Sequence, residues 1–124
     1  MRVFKNPWSA RFARKERIAD ATLCDAVARA EMNLMDADLG GGLIKQRISR
    51  PGAGKSGGYR TLVFYRSGSR AVFAVGFAKS DLGNIDAKDE VRLKTAAKLA
   101  LGYSEAEIDR LVKAEKLFEV ICHG

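Results

Sequence analysis

Leu43-Ile44-Lys45-Gln46-Arg47-Ile48 is where the period of the chain changes. Before it, apolar residues recur at helical spacing; here Ile44 and Ile48 point one way while Lys45 and Arg47 point the other, which is a strand with a basic face. Ser49 to Gly58, with one proline and four glycines, reads as a loop. It delivers Tyr59-Arg60-Thr61-Leu62-Val63-Phe64-Tyr65-Arg66, a β-branched and aromatic run. Ser67-Gly68-Ser69 is a tight turn, and Arg70 to Phe77 forms the return strand of a hairpin with a three-residue connection.

Working outward, Asn6-Pro7 is an N-cap followed by proline at the first helical position, opening a helix to about Arg17. Trp8 and Phe12 lie four apart on it, and Arg11, Arg14 and Lys15 share its outer side. Asp20 is read as the cap of a second helix in which Leu23, Val27, Ala30 and Leu34 recur at helical spacing, with Cys24 alongside as a core residue. That helix ends before Leu39-Gly40-Gly41-Gly42. On the far side, Asp86 caps a helix to about Leu101, and Ser104-Glu105-Ala106-Glu107 has the capping-box pattern for another that buries Ile108, Leu111 and Val112. Leu117 to Cys122 reads as a last strand. The expected fold is α+β: two N-terminal helices packed on a small antiparallel sheet, with C-terminal helices and a final short strand.

A chain of 124 residues, 47% apolar and 30% charged, fits one domain spanning 1–124 with its own core. It has no run approaching the ~18 apolar residues of a membrane span, and its first residues carry no apolar stretch like that of a signal peptide. The expected address is the cytoplasm, with no membrane partner. Cys24 and Cys122 lie far apart without metal-ligand spacing, and the single histidine is His123. Neither structural zinc nor a disulfide framework is expected.

The net charge of +7 is not spread along the chain. From Leu39 to Ser80 there is no Asp or Glu, while Lys45, Arg47, Arg50, Lys55, Arg60, Arg66, Arg70 and Lys79 fall within it. The remaining 14 basic and 15 acidic residues leave a net of −1. A solvated surface normally mixes both signs, so a segment cleared of carboxylates points to a polyanion, of which nucleic acid is the commonest.

Pro51-Gly52-Ala53-Gly54-Lys55-Ser56 invites a nucleotide-loop reading, but Ser49 stands where that pattern needs glycine, and the segment leads into a strand rather than a helix. Its Lys55 and free amides suit a nucleic-acid backbone contact instead. If the three strands are neighbours, Lys45, Arg47, Arg60 and Lys79 converge on one surface with no carboxylate before Asp81 to hold magnesium. No metal or cofactor is expected. Metal-free RNA cleavage needs a base for the 2′-hydroxyl, cations for the charge on phosphorus and an acid for the leaving 5′-oxygen. Lysines clustered among cations have lowered pKa values and substitute for histidine, while Arg60 suits transition-state stabilisation. Tyr59 and Phe77 are candidates to stack on bases, though core packing suits Phe77 better.

Leu39-Gly-Gly-Gly-Leu-Ile-Lys-Gln-Arg-Ile48, the block Arg50-Pro-Gly-Ala-Gly-Lys-Ser-Gly-Gly-Tyr-Arg60, Gly76-Phe-Ala-Lys79 and Asn84-Ile85 resemble a branch of the RelE/HigB-like toxins of bacterial type II toxin–antitoxin systems. The resemblance runs from about Phe4 to Val120, and the Arg50 to Arg60 block is its most specific part. It implies a RelE-like α+β fold and a ribosome-dependent, metal-independent mRNA endoribonuclease that inhibits translation. The implied partners are mRNA on the ribosome, ribosomal RNA and a cognate antitoxin, commonly a helix-turn-helix protein. Carried over, the family's basic active-site strand falls on Lys45 and Arg47, its arginine after the Gly-Tyr pair on Arg60 and its basic residue after the third strand on Lys79; Lys45, Arg60 and Lys79 are read as catalytic, and Arg47, Arg50, Lys55 and Tyr59 as contacts to RNA or the ribosome. Gln46 stands where many members of this branch have a second lysine, and no tyrosine lies between Ser80 and Ile85, where the better-studied branch has one. ParE-like relatives share the fold but act on DNA gyrase, so a non-catalytic gyrase poison is the alternative.

Overall fold

A computed structural model describes residues 1–50, 58–78 and 86–123. The chain runs β1 (Arg2–Lys5), α1 (Pro7–Lys15), α2 (Asp20–Glu31), β2 (Ala37–Gly40), β3 (Leu43–Ile48), β4 (Tyr59–Arg66), β5 (Arg70–Ala78), α3 (Ala87–Gly102), α4 (Glu105–Lys113) and β6 (Phe118–Val120). The strands form one sheet in the order β2-β3-β4-β5-β1-β6. The sheet is mixed rather than wholly antiparallel, because β1 enters beside β5 in parallel and then pairs antiparallel with β6.

Helices cover both faces. Val3, Ile44, Ile48, Val63 and Phe73 pack with Leu23, Ala26, Val27 and Ala30 of α2 on one side. Phe4, Leu43, Leu62, Phe64 and Val72 pack with Ala97, Leu101 and Ile108 of α3 and α4 on the other. Val3 and Phe4, adjacent in sequence, therefore enter different cores, as befits a strand covered on both faces. β1 and β2 were not expected from the sequence; at four residues each they are too short to display a period.

Local signals account for most boundaries. The Asn6 side chain accepts from the Ser9 N–H at 2.8 Å and Pro7 takes the first helical position. The Ser104–Glu107 capping box forms, and the Asp86 side chain caps α3 through the Asp89 N–H. Asp20 is not a cap, as expected from sequence, but the first residue of α2; Ala19 holds the cap position in extended backbone, and the Asp20 carboxylate pairs with Lys5 instead. Leu34, placed on the helical stripe by its spacing, falls beyond the helix and is 57% exposed. The cause is Asn33, which turns left-handed (φ 61°) and closes a Schellman motif in which Leu34 N–H bonds to the Arg29 carbonyl at 2.8 Å.

The cysteines also depart from expectation. Cys24 and Cys122 form a disulfide across 98 positions of sequence. β6 beside β1, with α2 packed across its end, brings together two residues whose sequence separation carries no such signal. No helix among the described residues is long and apolar enough to cross a membrane.

Candidate nucleic-acid interface

The β3–β4 ladder builds the site. Its register sets Arg47 opposite Arg60 and Lys45 opposite Leu62, and opposed residues share a face, so Lys45, Arg47 and Arg60 all leave the α3 side of the sheet. Across β4, Arg60 stands opposite Phe77 of β5. A bulge at Ala74, the extra residue between Phe73 and Val75, turns Val75 and Phe77 to that same face, where Phe77 packs on the second core. Facing arginines are a destabilising cross-strand pair. Neither arginine side chain meets a carboxylate among the described residues, and Arg60 Nη1 is buried with no hydrogen-bond partner among them. Such a donor costs about 1–3 kcal/mol while unmet. Two forks of fixed positive charge beside a lysine suit a phosphate, whose oxygens accept bidentate hydrogen bonds.

The backbone beneath these side chains is clamped. Past the end of the β2–β3 pairing, the Arg47 N–H donates to the Asp36 carboxylate, and the Arg47 carbonyl accepts from Arg29 Nη2 at 2.5 Å. Gln46, between Lys45 and Arg47, points to the opposite face and is 1% exposed. Its Nε2 donates to the carbonyls of Ala26 (2.8 Å) and Leu34 (3.4 Å), and its Oε1 accepts from the Asp36 N–H (3.0 Å). Gln46 therefore fastens the strand to the end of α2 and adds no charge to the site.

Tyr59 is not placed to stack on a base. It is 3% exposed on the α1 side of the sheet, its hydroxyl donates to Glu16, and the edge of Phe12 meets its ring at 5.1 Å between centroids. The Arg50 guanidinium lies 5.4 Å from the Tyr59 ring centroid, so the tyrosine serves as a platform for that cation. Lys55 and Lys79 lie outside the described residues. His123 is exposed just past β6, and β3 and β6 lie four strand spacings apart, about 19 Å, which removes it from this chemistry.

Two cations of the carboxylate-free segment do different work. Arg70 is 4% exposed and donates to the carbonyls of Ala100 and Tyr103 at the end of α3 and to Glu105. Arg66 donates to the Leu101 carbonyl. Both satisfy carbonyls that the helix leaves open and oppose its negative end. Arg2 and then Arg70 hold the exposed Glu105 carboxyl below the usual carboxylate range.

No cluster of three His, Cys, Asp or Glu side chains suited to a metal ion occurs among the described residues. No curated protein matches the chain. A family model described as the RelE toxin of the RelE/RelB toxin–antitoxin system matches residues 1–120. Nearly the whole of the sequence lies within that match, and the chain belongs to the RelE toxin family.

Proposed function

We propose that this toxin is a ribosome-dependent, metal-independent endoribonuclease that cuts mRNA in the cytoplasm and so arrests translation, and that a cognate antitoxin neutralises it. The observation that carries the reading is the opposed pair Arg47 and Arg60, neither of which pairs with a carboxylate among the described residues, with Lys45 on the same face. An RNA phosphate supplies the acceptors these groups lack. In the reaction, the ribose 2′-oxygen attacks phosphorus as its proton passes to a base, with Lys45 the base or its electrostatic helper. Arg60 stabilises the charge on the phosphoryl oxygens, and the bond to the 5′-oxygen breaks as that oxygen takes a proton. A 2′,3′-cyclic phosphate and a free 5′-hydroxyl are left. Lys79 is assigned the second phosphate contact or the proton donation, and Arg47, Arg50 and Lys55 the positioning of RNA or ribosomal RNA. So small a domain presents a short ladder rather than an enclosing cleft, and the ribosome orients the substrate for it.

The test is a cell-free translation reaction in which new 5′ ends on the mRNA are mapped. Cuts are expected only when ribosomes are present, and Arg60→Ala is expected to lower their rate by about 10²–10³. Intact mRNA together with inhibited supercoiling by gyrase would overturn the reading in favour of a non-catalytic poison. Cleavage that stops when a chelator is added to ribosomes kept intact by polyamines would overturn the metal-independent step.

A further inference from the structure

The α3 side of the sheet has a second cationic end that the proposed reaction does not use. Arg66 follows Arg60 by six residues on β4, so both side chains leave the same face about 20 Å apart. Its bond to the Leu101 carbonyl anchors the guanidinium against α3, and no carboxylate pairs with it among the described residues. Lys94 and Lys98, on consecutive turns of α3, line the same cleft of about 350 Å³ with Gly41, Gly42 and Leu101. The stem of Lys94 lies against the β2–β3 turn so closely that a Cβ on Gly41, whose φ is +64°, would sit 3.3 Å from Lys94 Cγ. Lys94 is thus seated on backbone, with its ammonium 3.5 Å from Glu90. Glu90 is the one carboxylate paired with any of the three cations among the described residues. Two lysines four apart on a helix repel each other, and Glu90 meets only Lys94, which leaves Lys98 and Arg66 without a carboxylate among the described residues.

We propose that Arg66, Lys94 and Lys98 form a second phosphate-binding site that takes a phosphodiester of the RNA whose scissile group sits at Arg47 and Arg60. This rests on the RNA reading given above. The two ends of this face then grip one polynucleotide backbone at points about 20 Å apart, with α3 between them, so that the strand passes alongside the helix in a fixed direction.

Binding of a fluorescent single-stranded RNA with 2′-O-methyl riboses, which cannot be cut, tests this by its salt dependence. Each phosphate contact on a single strand adds about 0.7 to the slope of log K against log salt. Lys94→Gln with Lys98→Gln is expected to remove that one phosphate contact and lower the slope by about 0.7, so a fourfold rise in salt weakens the variant about 2.6-fold less than the parent. Lys98→Glu alone, with an unchanged melting curve, is expected to move the slope in the same direction. An unchanged slope in both variants overturns the second site. If Arg60→Ala lowers the slope while these do not, the first site stands without the second; if no protein binds the RNA, the second site falls, and the cuts mapped on translating ribosomes decide the first separately. Inorganic phosphate that shifts the Gly41 and Gly42 amide resonances while the RNA slope stays fixed would mark a free-anion site and overturn the polynucleotide assignment.

Discussion

Replacing both cysteines, Cys24→Ser with Cys122→Ser, removes a bond that closes a loop across 98 positions. In the chain-entropy account a loop of that size constrains the unfolded ensemble by about 4.7 kcal/mol at 25 °C. Stabilities of ~0.05–0.15 kcal/mol per residue put this domain at about 6–19 kcal/mol, so the bond supplies between a quarter and most of the total. If the chain works at the ribosome as proposed, it sits where thiols are kept reduced, and the native core then holds the fold without the bond. Urea unfolding followed by circular dichroism measures the bond's contribution. With a slope of ~2 kcal/mol per molar, the midpoint of the double variant is expected about 2 M below that of the oxidised protein, with a steeper slope because its unfolded state is more expanded. Reduced wild-type protein should coincide with the variant. Thiol titration of the folded chain after air oxidation, then unfolded in urea, is expected to find none free. Two free thiols would refute the pairing, and equal midpoints in oxidised and serine forms would refute the loop-closure argument.

Other expectations follow from the clamps around β3 and from the helix contacts. Gln46→Leu keeps the volume but leaves the Asp36 N–H and the Ala26 carbonyl without their partner. It is expected to lower stability by about 2 kcal/mol or more, seen as a lower urea midpoint at constant slope. Gly76→Ala sets a Cβ 2.5 Å from Phe12 Cε2, so the Phe12 ring must move from its seat, at a cost of roughly 1–3 kcal/mol in the same assay. The Glu105 carboxyl titrates below its unfolded value because of Arg2 and then Arg70. Its contribution is therefore complete above the ordinary carboxylate pKa of about 4.3 and is lost as pH falls through the lower folded value. Melting curves from pH 5 to pH 2 are expected to fall less steeply for Glu105→Gln than for the parent.

Most of the helical boundaries were legible because capping chemistry is local. Asn6-Pro7, Asp86 and the Ser104–Glu107 box each carry their signal within four residues, and Gly68 with its neighbours marks the hairpin turn. Strand parity likewise set Lys45 and Arg47 on one face, and the ladder adds Arg60 to it. What escaped depends on contacts far apart in sequence. Tyr59 and Arg60 alternate, so one enters the α1-side core while the other faces the site, but only the placement of α1 says which face is closed. Arg66 and Arg70 look like the other cations of the carboxylate-free segment until the end of α3 arrives to use them. The disulfide was illegible for the same reason, since it depends on β6 finding β1.

β1 has a further consequence for how the domain comes into being. Its two neighbours, β5 and β6, are both made after it, and the second is complete only at residue 120. A growing chain can close the β3–β4–β5 meander by local hairpins, yet its first strand must wait through more than a hundred residues of synthesis before both of its edges are paired. Those long-range pairings raise contact order and slow the last step of folding. The sheet is sealed only once residue 120 has left the ribosome, so the first strand to be made is among the last to have both edges paired.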